Sequence, residues 1–384
     1  MNRSAEPATA ADFEQGAAAI LSAEVWDFIA GGSGAETTIA ANRTALDSVF
    51  LVPRMLRDVS TCSTRSTLLG RPVEMPVAAA PVAYQRLVHP DGELATARAT
   101  AAAGVPFVAA TLSSVPIEQI TAAGGRVWFQ LYWLRDESAT LDLVRRAEDA
   151  GCEAIMLTVD VPWMGRRLRD IRNGFALPAH VRAANIVTTS AAHERTGQGS
   201  AVAAHTSQEF SPALTWSALD RLRQHTRLPL VVKGLLAPED GAQAVQHGVD
   251  AIVVSNHGGR QLDGAVASID ALPEIVDAVH GRCEVLLDSG VRSGTDVLRA
   301  LALGASGVLL GRPLIWGLAV GGEPGATRVL ELLRAELRDA MGLAACENVA
   351  AARRLQTFRR LAAHGVRSGS EPRPMLVQPS VIPG

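Results

Sequence analysis

Lysine is almost absent from this chain. Lysine and arginine together number 36 in 384 residues, yet the sequence shows a single lysine, Lys233. Cysteine is also scarce. The four cysteines, Cys62, Cys152, Cys283 and Cys346, lie far apart with no C-x-x-C spacing. That excludes a disulfide framework and leaves no metal site to expect, and it suits a reducing compartment. No apolar run is long enough to cross a bilayer. The first sixteen residues, MNRSAEPATAADFEQG, lack the apolar core of a secretory signal, so the cytoplasm is the expected location. An excess of positive charge is missing too: the net charge is −3, which gives no electrostatic argument for nucleic acid. Finally, no G-x-G-x-x-G follows an early strand, which counts against a doubly wound dinucleotide-binding sheet.

What is present is an ordinary globular composition, 48% hydrophobic and 20% charged, with ample material for a core. From residue 75 onward, short apolar runs alternate with stretches of helical length. The spacing predicts strands at 77–80, 106–110, 128–131, 154–159, 230–232, 251–254, 284–287 and 307–310. Helices are predicted between them at 94–103, 117–123, 139–150, 216–225, 239–247, 269–279 and 295–303. Gly104, Gly151, Gly248 and Gly304 each end a helix just before a strand. Eight such units fit an α/β fold, a (β/α)8 TIM barrel. Before it, residues 1–74 read as a helical extension, with helices at 12–30 and 36–48. The stretch 175–215 is polar and aperiodic; it follows strand 4 and reads as a mobile insertion on the active face. One domain is expected over 1–367, followed by a disordered tail at 368–384, rich in Pro, Ser and Gly.

The barrel expectation gives the strand ends their meaning, because chemistry in this fold sits at the C-terminal face. The run AIVVSNHGGRQLDG (251–264) starts as a buried strand and ends in Ser255, His257, two glycines and Arg260. The run LPLVVKG (228–234) delivers the lone lysine to the same face. Other ends carry Pro81, Val82 and Ala83; Ser113; Gln130 and Tyr132; Thr158 and Asp160; Asp288, Gly290 and Arg292; and Gly311 and Arg312. Glycine N–H groups and arginine forks after strands 7 and 8 suit a phosphate. Gln130, Thr158 and Ser255 suit the edge of a heterocycle. A lysine beside a ring that becomes anionic would stabilise its reduced form. Together these are the needs of flavin mononucleotide, FMN.

The run SNHGGRQ (255–261), with QLY (130–132), LTVD (157–160) and GRR (165–167), resembles the FMN-dependent α-hydroxy acid oxidases and dehydrogenases. The likeness extends over about 13–365. It implies that His257 is the base, Asp160 its orienting partner, and Arg167 with Arg260 a clamp on the substrate carboxylate. Tyr132 would hydrogen-bond the substrate, and Lys233 would support the reacting ring. Pro81, Val82, Ala83, Ser113, Gln130, Thr158, Lys233, Ser255, Asp288, Gly290, Arg292, Gly311 and Arg312 would hold FMN. Three departures from the family's short-acid members stand out. WDFI (26–29) replaces a tyrosine-rich YDYY, LSS (112–114) runs straight into Val115 and Pro116 where a tryptophan and a longer loop are usual, and DSG (288–290) replaces DGG. The first two make room for a bulky aryl 2-hydroxy acid, with Trp26 and Ala83 among its contacts. The polar insertion favours O2 over a membrane quinone as electron acceptor. The resemblance also implies a homo-oligomer, typically a tetramer.

Overall fold

The computed structural model describes residues 6–186, 192–193 and 200–360, and the backbone of Leu376–Val377. Eight parallel strands close into a barrel. They are β1 Val77–Ala79, β2 Phe107–Ala110, β3 Val127–Leu131, β4 Ile155–Thr158, β5 Leu230–Leu235, β6 Ala251–Val254, β7 Glu284–Leu287 and β8 Gly307–Leu310. β8 returns to pair with β1, Val308 opposite Val77. All eight strands stand where the apolar runs predict them. β5 extends three residues further because Lys233 and Leu235 pair with β6 across a bulge. Gly234 makes that bulge, at φ +112, and a side chain there would strike Asp160 at 2.6 Å.

Side chains alternate along a strand, so every second residue enters the barrel. Ala78, Val108, Trp128, Met156, Val231, Val253, Leu286 and Leu309 pack together inside it. The opposite faces meet the surrounding helices in a second, larger core. Continuing the inward register one step toward the C-terminal ends gives Gln130, Thr158, Lys233, Ser255 and Asp288. The polar layer is thus the next storey of the apolar one.

The structure corrects four expectations. The helix predicted at 12–30 is two, α1 Ala10–Ile20 and α2 Ala23–Ala30. Ser22 divides them: its backbone is extended and its hydroxyl accepts the N–H of Val25, capping the second helix. The extension 1–74 is not wholly helical beyond α3, Thr37–Asp47. Strands Ser66–Leu68 and Arg71–Val73 form a hairpin, and its Leu68 and Val73 close the floor of the barrel core. The insertion 175–215 is not aperiodic throughout, since it contains a helix, Ala201–Glu209. Three alanines with Gln208 and Glu209 favour the helix, its polar residues blur the periodicity, and tertiary contacts fix it in place: Arg135 donates to Ser207 O, and Ala201 N–H donates to Phe175 O. The rest of the insertion at 187–191 and 194–199 lies outside the described residues. Of the tail from 368, Leu376–Val377 pairs antiparallel with Thr357–Phe358, and the remainder also lies outside the described residues. Among the described residues no helix is long and apolar enough to cross a membrane.

Candidate active site

The C-terminal ends of the strands open on a cleft. Pro81, Val82, Ala83, Gln130, Tyr132, Thr158, Arg167, Lys233, His257, Arg260, Asp288, Gly290, Arg292, Gly311 and Arg312 all line it. Residues up to 231 positions apart in the chain are therefore gathered at one site.

The loop after β6 places its histidine under strain. His257 has φ +59, a conformation that residues other than glycine seldom adopt. Two bonds hold it there: its backbone N–H donates to Ser255 Oγ (3.0 Å), and its Nδ1 lies 2.9 Å from Asp160 Oδ1. With Nδ1 engaged, Nε2 is the nitrogen left for chemistry. Gly258 and Gly259 continue the loop at φ +67 and +75, and a side chain on Gly259 would strike the Ile39 backbone at 2.8 Å. Burial, aided by the Lys233 charge, pushes the imidazole below its ordinary pKa against the pull of Asp160, so His257 is neutral. Burial pushes Asp160 up, but His257 and Lys233 overcome it and hold the carboxyl below its usual range. The pair is a neutral base oriented by an anion.

Lys233 forms a second buried pair. Its Nζ lies 3.2 Å from Asp288 Oδ2 and donates to Ser255 Oγ at 3.0 Å. Burial disfavours its charge, but Asp288 and Asp160 more than compensate and raise its pKa. The lone lysine is therefore a permanent cation among the strand ends.

The N-terminal helices steady the arginines. Arg260 Nη1 donates to Phe28 O and Gly31 O, both at 2.8 Å. Arg312 donates to Ile29 O, Gly258 O and Gly31 O. The C-terminal carbonyls of α2 thus receive both guanidinium groups, as the helix dipole favours. Burial and then Arg260 push Arg167 down; burial, Arg260, Arg292 and Arg167 push Arg312 down. A cleft holding four crowded arginines calls for anionic ligands. Arg167 Nε is buried without a partner among the described residues, and so are Gln130 Nε2 and Thr158 Oγ1. Unmade buried hydrogen bonds of this kind ask for a ligand. A flavin edge at Gln130 and Thr158, a phosphate at Gly290, Arg292, Gly311 and Arg312, and a carboxylate at Arg167 would satisfy them, so the residues present fit FMN and an acid substrate.

Several predicted residues stand elsewhere. Trp26 is half-buried on α2 but does not line the cleft; Phe28, two residues on, does. Its ring lies under the Arg260 and Arg167 guanidinium groups, at 5.4 and 6.0 Å, and stacks on Phe175 at 4.6 Å. The helical register of α2 carried the signal, because Phe28 and Ile29 are its buried face. Ser113 does not line the cleft either: its hydroxyl donates to Ala110 O. Ser255 and Asp160 stand one layer back, behind Lys233 and His257. Unforeseen lining residues are Met164, Val202, Thr206 and Phe210, the last stacked on Tyr132 at 4.3 Å. They come from the segments read as loop or insertion, where periodicity is silent.

Comparison with known proteins decides the family. Residues 17–357 match the family described as FMN-dependent dehydrogenase. The chain belongs to that family. It is 63% identical over 347 residues to 4-hydroxymandelate oxidase of Amycolatopsis orientalis, covering 90% of this chain and 97% of that one. It is 47% identical to L-lactate oxidase of Nostoc sp., over 91% of this chain and 97% of that one, and 45% identical to human 2-hydroxyacid oxidase 1, over 88% and 93%. Among solved structures, mandelate oxidase with (S)-4-hydroxymandelic acid superposes with TM-score 0.91 at 61% identity, covering 93% of this chain and 100% of that one. The fold is that of a family flavoenzyme, its cofactor is FMN, and its reaction class is the oxidation of 2-hydroxy acids.

Proposed function

We propose that this enzyme oxidises aryl (S)-2-hydroxy acids, 4-hydroxymandelate or mandelate, to the 2-keto acids, with O2 reduced to H2O2. The observation that carries this reading is the apolar wall of the cleft. Phe28, Met164, Val202 and Phe210 line one space with the Arg167 and Arg260 guanidinium groups. A small acid such as glycolate would leave that wall wet; an aryl ring would bury against it. The 63% identity to a 4-hydroxymandelate oxidase supports the same substrate class.

In this reading Arg167 and Arg260 hold the substrate carboxylate. Tyr132 hydrogen-bonds the substrate; burial, then Asp160, push its phenol up to about 12, so it stays a donor. His257 Nε2 takes the proton released as the α-carbon is oxidised, and Asp160 steadies the imidazolium so formed. FMN, when bound, supplies the two-electron acceptor between substrate and O2. Lys233, Gln130 and Thr158 would hold its ring, with Ser255 supporting Lys233 from behind; Pro81, Val82 and Ala83 would pack against it, and Gly290, Arg292, Gly311 and Arg312 would hold its phosphate. The enzyme works in the cytoplasm as a homo-oligomer, which gel filtration checks against the family's usual tetramer.

Anaerobic mixing tests the proposal. Both (S)-mandelate and (S)-4-hydroxymandelate are expected to bleach the flavin, and air to restore its colour quickly. Failure to recover without an added quinone would overturn the choice of O2. Glycolate turnover equal to mandelate turnover would overturn the aryl assignment.

A further inference from the structure

The chain has two tyrosines, Tyr84 and Tyr132. Tyr132 has its role; Tyr84 has none so far, and its situation is unusual. It lines the cleft, yet the residue is fully buried. Its Oη has no hydrogen-bond partner among the described residues. A buried phenol without a partner is costly, and native structures carry few. Its backbone is strained as well, at φ +57. Such strain persists where the surroundings over-determine it, and it clusters at functional sites. The surroundings here are the loops after β1 and β2. Tyr84 N–H donates to Leu112 O at 3.1 Å and Tyr84 O accepts from Leu87 N–H. Buried Glu93 ties the same loops by accepting from Gln85 N–H, Ser114 N–H and Ser114 Oγ. The Tyr84 backbone is therefore tied to Leu112, where the chain turns at once into Val115 and Pro116.

Burial, then the neighbouring Tyr132, push the Tyr84 phenol well above its ordinary pKa, so it remains a neutral group that can both donate and accept. The ligand group that matches it is another neutral hydroxyl. Phe28, Met164, Val202 and Phe210 line the same cleft as Tyr84.

We propose that Tyr84 Oη is the hydrogen-bond partner of a para-hydroxyl on the aryl ring, and so sets the preference for 4-hydroxymandelate over mandelate. This rests on the aryl reading above, and the two can fail separately. If wild type oxidises glycolate as well as mandelate, the aryl reading fails. If it oxidises aryl acids but Tyr84 does not govern the para position, only this inference fails.

The test compares wild type with Tyr84→Phe on three substrates: 4-hydroxymandelate, 4-methylmandelate of similar size, and mandelate. One hydrogen bond to a neutral group is worth about a ten-fold change in kcat/KM. Wild type is expected to prefer the hydroxyl to the methyl compound. Tyr84→Phe is expected to lose that preference by about ten-fold, with kcat/KM falling less on mandelate than on 4-hydroxymandelate and flavin retained. Because the hydroxyl has no partner among the described residues, its removal is also expected to leave the melting temperature of the FMN-loaded enzyme unchanged or raised. A merely structural tyrosine would show the reverse, a lower melting temperature and equal losses on all three substrates, and that result would overturn the inference. Should Tyr84→Phe fail to retain FMN, wild type alone decides. Equal binding of 4-hydroxybenzoylformate and 4-methylbenzoylformate, read from the flavin spectrum, would sink the proposal; tighter binding of the hydroxylated acid would support it.

Discussion

Two storeys of the same barrel follow opposite rules. In the lower one, Trp128, Met156, Val231 and Leu286 fill the interior with apolar volume and are fully buried. Two residues further along the same strands stand Gln130, Thr158, Lys233 and Asp288, each also less than a tenth exposed. Burial alone does not distinguish the layers; the number of polar groups that need partners does. The lower storey leaves one polar side-chain atom without a partner among the described residues, Trp128 Nε1. The upper one contains a lysine that needs Asp288, a histidine that needs Asp160, and orphaned atoms on Gln130 and Thr158. A buried charge costs several kcal/mol unless it is paired, and removing one partner leaves about 3–5 kcal/mol uncompensated. The fold tolerates that arrangement because the apolar storey beneath supplies stability without needing any ligand.

The comparison predicts that a change in the upper storey alters rate before stability. The largest expected effect is at His257. His257→Ala is expected to retain FMN and to bind substrate through Arg167 and Arg260, but to slow flavin reduction by about 10²–10⁴, the usual worth of a positioned base. Stopped-flow absorbance gives the rate, and a wild-type rate in a fully flavinated variant would refute the assignment. The pH profile sharpens it. The folded pKa of His257 is depressed by burial, so the neutral base persists below 6.5, the ordinary value, and reduction falls only at lower pH. The stability term has the same sign. Below 6.5 the unfolded chain takes up a proton that the folded chain refuses, so this residue makes the protein less stable as pH falls from 6.5 toward the depressed value. In His257→Ala both dependences should vanish together.

A change in the lower storey should do the opposite. Met156 is fully buried two residues before Thr158. Met156→Ala leaves a cavity among Trp128, Val231 and the other inward side chains, at a cost of about 2–5 kcal/mol. Thermal melting of the holoenzyme reads the loss. Flavin reduction per bound FMN should stay near wild type; a fall of a hundred-fold would show that the two storeys are not separable.

The same division governs what the sequence discloses. Barrel strands are short apolar runs with glycine stops, so all eight were legible, as was the polar set at their ends. His257 meets Asp160 at 2.9 Å and Lys233 meets Asp288 at 3.2 Å, because a strand end fixes a side chain almost as firmly as a core position. Residues on irregular segments were not legible. Phe28 was missed in favour of Trp26 because the turn of α2, which periodicity alone locates to within a residue or two, decides which ring enters the cleft. Val202, Thr206 and Phe210 belong to a segment whose polar residues blur its periodicity and which tertiary contacts fix in place. Ser113 sits at the expected loop, but its hydroxyl caps Ala110 O, a local competition that spacing cannot show.

The smallest effect is expected at Ser289, where DSG replaces the family's usual DGG. Ser289 has φ +75, the region glycine prefers, so its side chain costs about 1–2 kcal/mol in backbone strain. Its hydroxyl offsets that cost. It accepts the Gly258 N–H at 2.9 Å and donates to Asp288 Oδ1 at 2.7 Å. The first bond braces the histidine loop, and the second steadies the carboxylate that pairs with Lys233. A neutral bond contributes about 0.5–1.5 kcal/mol and one to a charged group about 1.5–3. Ser289→Gly removes both bonds, relieves the strain, and adds about 0.5–1 kcal/mol of unfolded-chain entropy. The lost bonds outweigh the relieved strain, with a net loss of about 2–3 kcal/mol at the middle of these ranges. The melting temperature of the FMN-loaded variant should fall by a few degrees, and flavin reduction should slow modestly as the His257 loop and the Lys233–Asp288 pair loosen together. A variant more stable than wild type would mean that strain outweighs both bonds, and that the hydroxyl is an accommodation of the loop rather than a support for it.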